Sequence, residues 1–288
     1  MSRVDVIVPS YNYGRFLRQS VESALSQSGV DVRVLIIDDA SQDDTEQVCA
    51  ELVREHPQVE VVRHPVNLGH VATFNDGIER ARGDYMLLLS ADDYLTPGAL
   101  ARAAAVLDSD PEVGLAPGDI HILWPRETPP DDFPDGRRPK ALTTWAAIER
   151  FAWVNFVAAP TAVVRTSLQK ALGGYRSEIP HTADLELWLR FGLASRITYV
   201  RWVQAVYRRH GSNMSERYDD QADFDQNVAA FRLQLDAIRS HEQCGPSLVA
   251  RIDEIFAERA AALAGAGREQ AHAPFSVFPR SSPPPGQP

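Results

Sequence analysis

Two adjacent carboxylates, Asp92 and Asp93, follow the apolar run Leu87-Leu88-Leu89 after the short link Ser90-Ala91. The apolar run is typical of a buried strand, and Asp side chains are seldom buried unless they are paired or bound to a cation. Carboxylate oxygens are ligands that Mg²⁺ and Mn²⁺ prefer. The pattern indicates either a divalent-metal site at the end of a core strand or a cap for a helix that begins near Thr96.

Strand and helix signals alternate over the first ninety residues and predict an α/β fold with a mainly parallel sheet. Strands are predicted at 4–8, 32–37, 59–63 and 84–89, and helices at 14–27, 45–56 and 71–81. Right-handed crossovers place the carboxyl ends of parallel strands along one edge, where open α/β sheets bind ligands. We expect Pro9-Ser10-Tyr11-Asn12, Asp38-Asp39 and Ser90-Ala91-Asp92-Asp93 to meet there. The absence of a G-x-G-x-x-G pattern counts against a dinucleotide-binding dehydrogenase.

The remainder of the chain departs from this alternation. Residues 126–140 are rich in Pro, Asp and Gly, which is typical of a loop, and the uncharged run 151–164 is too short to span a membrane and is interpreted as core. An amphipathic helix is predicted around residues 185–190, and terminal helices at 219–242 and 247–263. The Pro- and Ser-rich end, 266–288, is predicted to be disordered because it offers little apolar surface to bury.

The composition of the chain argues against several classes of protein. The chain has 288 residues and a formal net charge of −10, which argues against general affinity for nucleic acid or an acidic membrane surface. Two cysteines, Cys49 and Cys244, are too few and too far apart for a disulfide framework or a thiolate metal site. The first apolar run is short and interrupted by Asp5, so no secretory segment is predicted. We expect a cytoplasmic protein without an integral membrane segment.

Nine different short motifs occur along residues 4–215. They are Val8-Pro9-Ser10-Tyr11-Asn12, Ile37-Asp38-Asp39-Ala40-Ser41, Asn67-Leu68-Gly69, Asn75-Asp76-Gly77, Ala81-Arg82-Gly83-Asp84, Ser90-Ala91-Asp92-Asp93, Gly173-Gly174-Tyr175, Asp184 with Leu187-Trp188-Leu189-Arg190, and Arg209-His210-Gly211-Ser212-Asn213. In this order and spacing the chain resembles the family-2 glycosyltransferases. The resemblance implies an inverting enzyme of the GT-A fold that uses a nucleotide-diphosphate sugar.

The resemblance implies that Pro9, Tyr11 and Asp39 hold the donor's base, with Asn12 in the same motif. Tyr11 can pack on a flat ring, and the Asp39 carboxylate can accept the imide N–H of uracil or thymine. UDP is therefore the first choice of nucleotide, with dTDP and GDP next. An alternative for Asp38-Asp39 is a cap for the helix that follows.

The loop containing Asn67 and Gly69 resembles the loop that lies beside the nucleotide in the family. For Gly69 an ordinary turn glycine remains an equal alternative.

The metal motif departs from the family's pattern of two aspartates separated by one residue. Ser90 occupies the position of the first aspartate of this motif. Ala91 and Asp92 match the remaining two positions, so Asp92 is the candidate ligand for Mg²⁺ or Mn²⁺. Asp93 is expected to bond backbone amides. His210 matches a position that approaches the diphosphate or the metal in some members, and a purely structural histidine is the alternative.

Asp184 matches the family's general base. Ala183 stands where Glu is usual, which removes a like charge that would raise the pKa of Asp184. A helix cap is the alternative role, and Glu186 is the weaker candidate for the base. Asn155 and the tryptophans Trp145, Trp153 and Trp188 are candidates for the acceptor pocket, although core packing suits the tryptophans as well.

These inferences combine into one expected organisation. Residues 1–115 form the nucleotide-sugar-binding half, 116–217 the acceptor-binding and catalytic-base half, and 218–265 the C-terminal helices. We expect transfer of a single sugar, with inversion, to a hydroxyl of a saccharide, lipid-linked or small-molecule acceptor; a lipid-linked acceptor would be met at the inner membrane face. Homodimerisation through the C-terminal helices is left open.

Three other functions are alternatives to the transfer of a single sugar. Ser90 and Ala183 replace two usual carboxylates, which keeps open a nucleotide-sugar-binding protein with weak or no catalysis. A nucleotidyltransferase is disfavoured because no phosphate-binding loop rich in Gly and Lys or Arg follows the first strand. A processive synthase is disfavoured because Thr198 stands where Gln is usual before Arg201-Trp202.

Overall fold

A computed structural model describes residues 1–130, 132–134, 136–211, 213 and 219–265. The strands are β1 Arg3–Ser10, β2 Asp31–Asp38, β3 Val59–Arg63, β4 Tyr85–Leu88, β5 Tyr94–Leu95, β6 Val113–Ala116, β7 Gly118–Leu123, β8 Lys140–Leu142, β9 Val163–Arg165 and β10 Arg196–Arg208. The helices are α1 Gly14–Leu25, α2 Thr45–Glu55, α3 His70–Arg80, α4 Ala99–Ser109, α5 Thr144–Trp153, α6 Thr166–Leu172, α7 Ala183–Ala194, α8 Asp220–Ser240 and α9 Gly245–Gly265. The tail predicted to be disordered, 266–288, lies outside the described residues.

The strands form one sheet in the order β3-β2-β1-β4-β9-β6-β10-β5, with β7 and β8 also pairing with β10. The pairs β3-β2, β2-β1 and β1-β4 are parallel, and β9 runs antiparallel to both β4 and β6. The predicted α/β fold with a mainly parallel sheet is confirmed. The first four predicted strands and three predicted helices are all present, whereas the sequence analysis predicted none of β6 to β10.

Continuous apolar runs form β1 and β2 because both faces of these strands are covered by other elements. Alternate residues point to opposite faces, so Val6 packs in one core with Leu17 of α1, while Ile7 packs in the other with Ile78 of α3. Gly77 has a packing role here, since a Cβ at this position would clash with Ile7. This close approach sets α3 directly against β1.

The C-terminal helices complete the core of the second half of the chain. Phe231 of α8 and Ile252 of α9 are buried in the same cluster as Phe151 of α5 and Leu187 of α7. The uncharged run 151–164 contributes buried residues to it, as predicted. Homodimerisation through these helices stays a prediction. Among the described residues, no helix combines the length and apolar character needed to cross a membrane.

A fully buried carboxylate, Glu186, fastens α8 to α7. Its Oε1 accepts hydrogen bonds from Arg176 Nε at 2.9 Å and Gln234 Nε2 at 2.7 Å, and its Oε2 accepts one from Arg190 Nη2 at 2.7 Å. Buried charges are retained where they are paired and hydrogen-bonded in this way. Glu186 is therefore structural, which agrees with its weaker standing as a candidate base.

Asp5 performs a similar task at the start of β1. Its carboxylate is buried and accepts hydrogen bonds from the backbone N–H groups of Arg82 and Gly83 and from Arg33 Nη2. These contacts join β1, β2 and the turn before β4. The charge that interrupts the first apolar run thus receives three hydrogen bonds at Oδ2 inside the fold.

We expect Asp5→Ala to lower the free energy of unfolding by about 3 kcal/mol, because it leaves buried donors and a guanidinium without their acceptor. Urea denaturation followed by circular dichroism measures this change. Asp31→Ala, on the exposed first residue of β2, is the matched control and is expected to change stability by less than about 0.5 kcal/mol. Equal unfolding midpoints for Asp5→Ala and the unaltered protein would contradict the role assigned to Asp5.

Candidate active site

The carboxyl ends of β1, β2, β3 and β4 lie side by side at one edge of the sheet. Ser10 pairs with Asp38, Asp38 pairs with Arg63, and Leu89 N–H donates to Ile7 O at 2.9 Å. The loops that leave these strands contain the predicted polar clusters. The expected meeting of these clusters at one edge is therefore observed.

Asp39 organises the loop before α3. Its Oδ1 accepts the N–H of Leu68 at 2.8 Å, and its Oδ2 accepts the N–H of Gly69 at 2.9 Å. Burial raises the pKa of Asp39, but these amides and His64 outweigh burial and hold the pKa below its usual value. A carboxylate has about four acceptor sites, so Oδ2 keeps one for a further donor.

His64 is a site residue that the sequence analysis did not single out. Its Nδ1 lies 2.8 Å from Asp39 Oδ1, and its Nε2 lies 3.3 Å from Asp76 Oδ2. Burial lowers the pKa of His64, but the two carboxylates have the larger combined effect and raise it. The signal available in the sequence was its position directly after the predicted third strand.

The turns after β1 and β2 are locked together. Asn12 has φ 59°, a left-handed conformation that Asn tolerates, and its Oδ1 accepts the N–H of Gln42 at 2.7 Å. Ala40 also has a positive φ, 61°, which is a strained conformation for alanine. Pro9 is buried beneath this turn, while Tyr11 is 46 % exposed at its surface. Tyr11 is therefore accessible to a ligand.

Asp38 bonds a backbone amide at the end of β2. Its Oδ1 accepts the N–H of Ser41 at 3.0 Å. At the start of α2, the N–H of Thr45 is bonded by Asp43. The capping alternative for Asp38-Asp39 is therefore wrong.

Gly69 and Asn67 shape the same edge. Gly69 has φ 84° and ψ 159°, a region open essentially to glycine, and α3 begins at the next residue. Asn67 Oδ1 accepts the N–H of Gly69 at 3.1 Å. Together with Asp39, these contacts fix the path of the loop.

Asp92 and His210 meet although 118 residues separate them. Asp92 Oδ2 lies 3.0 Å from His210 Nε2 and 3.4 Å from Asn213 Nδ2. The His210 ring stacks on Phe16 with centroids 5.0 Å apart. Helix α4 begins at Ala99 without a side-chain cap, so the capping alternative for Asp92 and Asp93 is wrong.

Asp93 bonds the backbone, as expected. Its buried Oδ1 accepts the N–H of Arg208 at 3.1 Å. Burial and then the neighbouring charge of Asp92 raise the pKa of Asp93 well above its usual value. Arg208, which the sequence analysis did not identify, also donates from Nη1 to Asp92 O at 2.6 Å. Arg208 thus attaches the end of β10 to the metal motif.

The Asp92–His210 pair fits a divalent cation. Among the described residues, no group of three or more His, Cys, Asp or Glu side chains is placed to hold a metal ion. Two protein ligands are nevertheless what an ion shared with a diphosphate requires, because Mg²⁺ keeps water and phosphate oxygens in its shell. The 3.0 Å separation also suits two neighbouring ligands, each about 2.1 Å from an octahedral ion.

Asp184 lies in the first turn of α7. Its Oδ2 accepts a hydrogen bond from Asn155 Nδ2 at 2.9 Å, and its Oδ1 accepts the N–H of Leu185 at 2.7 Å. Burial raises the pKa of Asp184 above its usual value. The N-cap of α7 is Thr182 and Asp184 is the second residue of the helix, so the helix-cap alternative for Asp184 is wrong.

The turn before Asp184 is held from two sides. His70 of α3 lies 3.1 Å from Pro180 O, which connects this turn to the loop containing Gly69. His181 Nε2 lies 2.9 Å from Asp223 Oδ1 of α8. The contact with α8 was not foreseen, because nothing local in the sequence pairs these two residues.

Of the four candidates for an acceptor pocket, only Asn155 has a contact with a predicted catalytic residue. Trp188 is 2 % exposed and lies in the core. Trp145 and Trp153 pack against the same core cluster, and Trp145 Nε1 donates to Glu149 Oε2 at 3.2 Å. The tryptophans therefore pack the core.

Comparison with known proteins gives a consistent result. Residues 5–161, more than half of the chain, match the family described as glycosyl transferase family 2. An uncharacterized protein of Mycobacterium tuberculosis, MT1568, is 30% identical over 72% of this chain and 67% of its own length.

Two solved structures have the same fold. TarS residues 1–349 of S. aureus, in complex with UDP-GlcNAc, superposes with a TM-score of 0.70 at 22% identity, covering 93% of this chain and 74% of that one. The mannosyltransferase PcManGT of Pyrobaculum calidifontis, in complex with GDP-Man and Mn²⁺, gives 0.61 at 19% identity, covering 94% and 77%. The chain belongs to glycosyl transferase family 2 and has the GT-A fold.

Proposed function

We propose that this protein transfers one sugar from a nucleotide-diphosphate sugar, with UDP as the nucleotide, to an acceptor hydroxyl with inversion at the anomeric carbon. The observation that carries the proposal is the partly buried Asp184 carboxylate, whose Oδ2 is held by Asn155 and whose pKa is raised. The Asp92–His210 pair supports it from the donor side.

Asp184 is assigned as the general base. A raised pKa makes a carboxylate a stronger base at neutral pH, which favours proton removal from a hydroxyl. Asp184 Oδ2 takes the acceptor's proton while the hydroxyl oxygen attacks the anomeric carbon from the face opposite the leaving diphosphate. Because attack and departure are on opposite faces, a single displacement inverts the anomeric configuration.

Asp92 and His210 are assigned to hold a divalent cation beside the diphosphate. When bound, the ion neutralises charge on the departing nucleotide diphosphate as a Lewis acid. Phe16 fixes the His210 ring, and Arg208 fixes the Asp92 backbone, so both side chains keep their positions without depending on the ligand. Such preorganisation supports binding of an ion that the protein alone does not fully coordinate.

Tyr11 and Asp39 are assigned to the base. The exposed Tyr11 ring can cover a pyrimidine, and the acceptor site left on Asp39 Oδ2 suits the imide N–H of uracil. The Asn67–Gly69 loop, bonded to the same carboxylate, would border the nucleotide.

A protein that binds a nucleotide sugar without turning it over is the second candidate. Ser90 and Ala183 stand at positions where the family usually has carboxylates, and this specific feature favours it. The two candidates differ in one measurable outcome, because only the transferase releases the nucleotide diphosphate.

In a panel of UDP-, dTDP- and GDP-sugars with Mn²⁺, we expect release of UDP from one donor, and Asp184→Asn to lower that rate by about 10²- to 10⁴-fold because the base is lost. UDP binding and the melting temperature should be retained, since the amide preserves the shape of the side chain. Coupled detection of UDP measures the rate.

Glu178→Gln, an exposed carboxylate in the turn before α7, is the matched control for Asp184→Asn and should keep full activity. Near-normal turnover by purified Asp184→Asn would remove Asp184 as the base. Donor binding without UDP release by the unaltered protein, with acceptors supplied, would favour the binding-protein candidate.

We expect Asp92→Asn to weaken UDP binding at least tenfold in the presence of Mn²⁺ and to leave binding in EDTA unchanged, because the charged ligand of the ion is lost. Isothermal titration with UDP in both buffers measures the difference. Asp253→Asn, an exposed position on α9, is the control. Equal Mn²⁺ enhancement in Asp92→Asn and Asp253→Asn would show that Asp92 does not bind the ion.

The rate of UDP release should fall as the pH drops through the pKa of Asp184, since only the ionised carboxylate accepts a proton. Burial raises this pKa, the charge of His181 lowers it, and the charge of Asp223 raises it. His181→Gln removes the lowering effect and should move the acid limb of kcat/KM to higher pH.

A pH–rate profile measures this shift, with His56→Gln as the control remote from Asp184. An unchanged or lower acid limb in His181→Gln would contradict the assignment of that limb to Asp184.

A further inference from the structure

A cavity of about 530 Å³ opens beside the middle of β10, away from the proposed donor site. Four cationic side chains line it, together with Tyr199 and Trp202. They are Arg137, Lys140, Arg150 and Arg201. Its volume lies within the range of about 300–1,000 Å³ that is typical of small-molecule sites.

The four cations have no anionic partner among the described residues. None of their side chains forms a hydrogen bond or an ion pair there, whereas Arg18 and Arg33, for example, are each paired with carboxylates. Asp119, the carboxylate among the described lining residues, accepts a hydrogen bond from the Tyr199 hydroxyl at 3.0 Å. In a chain of net charge −10, the described lining residues of the cavity thus carry four cationic side chains and one carboxylate.

One of the cationic groups is positioned by aromatic rings. The Arg150 guanidinium lies 4.5 Å from the Phe156 ring centroid and 5.9 Å from that of Tyr199. The backbone of two further cationic residues is joined, because the N–H of Arg137 donates to Arg201 O at 2.9 Å. A group that is already positioned loses less entropy when it binds an anion.

Gly136 allows the loop that contains Arg137 to lie against Trp202. A Cβ at Gly136 would clash with the Trp202 ring, so the loop backbone lies directly on β10 in a way that only glycine permits. Arg102 also packs on Trp202, with its Cζ 4.9 Å from the ring centroid. The indole is therefore a wall of the cavity.

The cavity is bordered by α5, the helix that precedes the segment in contact with the proposed base. Arg150 lies in the last turn of α5, five residues before Asn155, which donates to Asp184. The proposed metal pair lies elsewhere, since His210 follows the end of β10 and contacts Asp92. The described lining residues include none of those assigned to the donor.

We propose that this cavity binds an acidic group, phosphate or carboxylate, carried by a saccharide acceptor; the acceptor role rests on the proposed function. Guanidinium groups bind both anions through paired hydrogen bonds, which explains the preference for arginine. The Asp119 carboxylate supplies hydrogen-bond acceptors for sugar hydroxyls. The cavity is also far larger than a lone inorganic anion requires.

The test is a titration of the full chain with glucose 6-phosphate, glucuronate, glucose and inorganic phosphate, followed by saturation-transfer NMR. We expect the two acidic sugars to bind, glucose to bind at least tenfold more weakly, and UDP not to displace them. Arg150→Gln combined with Arg201→Gln should weaken acidic-sugar binding at least tenfold and leave UDP binding unchanged. Arg232→Gln, an exposed arginine on α8, is the matched control.

Acidic-sugar binding that survives the double substitution, or that UDP abolishes, would overturn the cavity as the site. Inorganic phosphate binding as tightly as glucose 6-phosphate would overturn the saccharide assignment. If no donor is turned over but acidic sugars still need Arg150 and Arg201, the proposed function and the acceptor role fail while the anion-binding cavity stands. If donors are turned over and no acidic sugar binds, the cavity proposal alone fails.

Discussion

The position of the loops that follow β2 and β3 depends on one buried carboxylate, Asp39. It accepts the amide hydrogens of Leu68 and Gly69 and faces His64, which in turn faces Asp76 on α3. A buried carboxylate is stable only with such partners, so the charge and the loop conformation are set together. The ends of β2, β3 and the beginning of α3 are consequently joined through a single side chain.

The first half of the fold was predictable because its information is local. Continuous apolar runs mark strands buried on both faces, and Gly, Asp and Pro mark the turns between them, so β1 to β4 follow from the sequence. The second half of the fold could not be predicted in this way, since β6, β9 and β10 are identified only by the strands with which they pair. β9 has only three residues and begins at the end of a long uncharged run, where nothing local separates a strand from other buried segments.

The candidate site shows the same division. Asp92, Asp184 and His210 were found through the resemblance of their motifs, and the structure places His210 against Asp92. His64 and the pair His181–Asp223 were missed because their significance arises only from tertiary contacts. The sequence around a histidine that follows a strand or lies in a turn does not indicate a function until its carboxylate partner is known.

The family match ends at residue 161, so Asp184 and the helices packed around it lie beyond the matched region. There the fully buried Glu186 receives hydrogen bonds from Arg176, Arg190 and Gln234, which belong to the turn before α7, to α7 and to α8. A substitution on α8 can therefore shift the first turn of α7 without touching any ligand. Sequence change on α8 thus has a structural route to the turn of α7 that contains Asp184, and this route lies wholly outside the matched region.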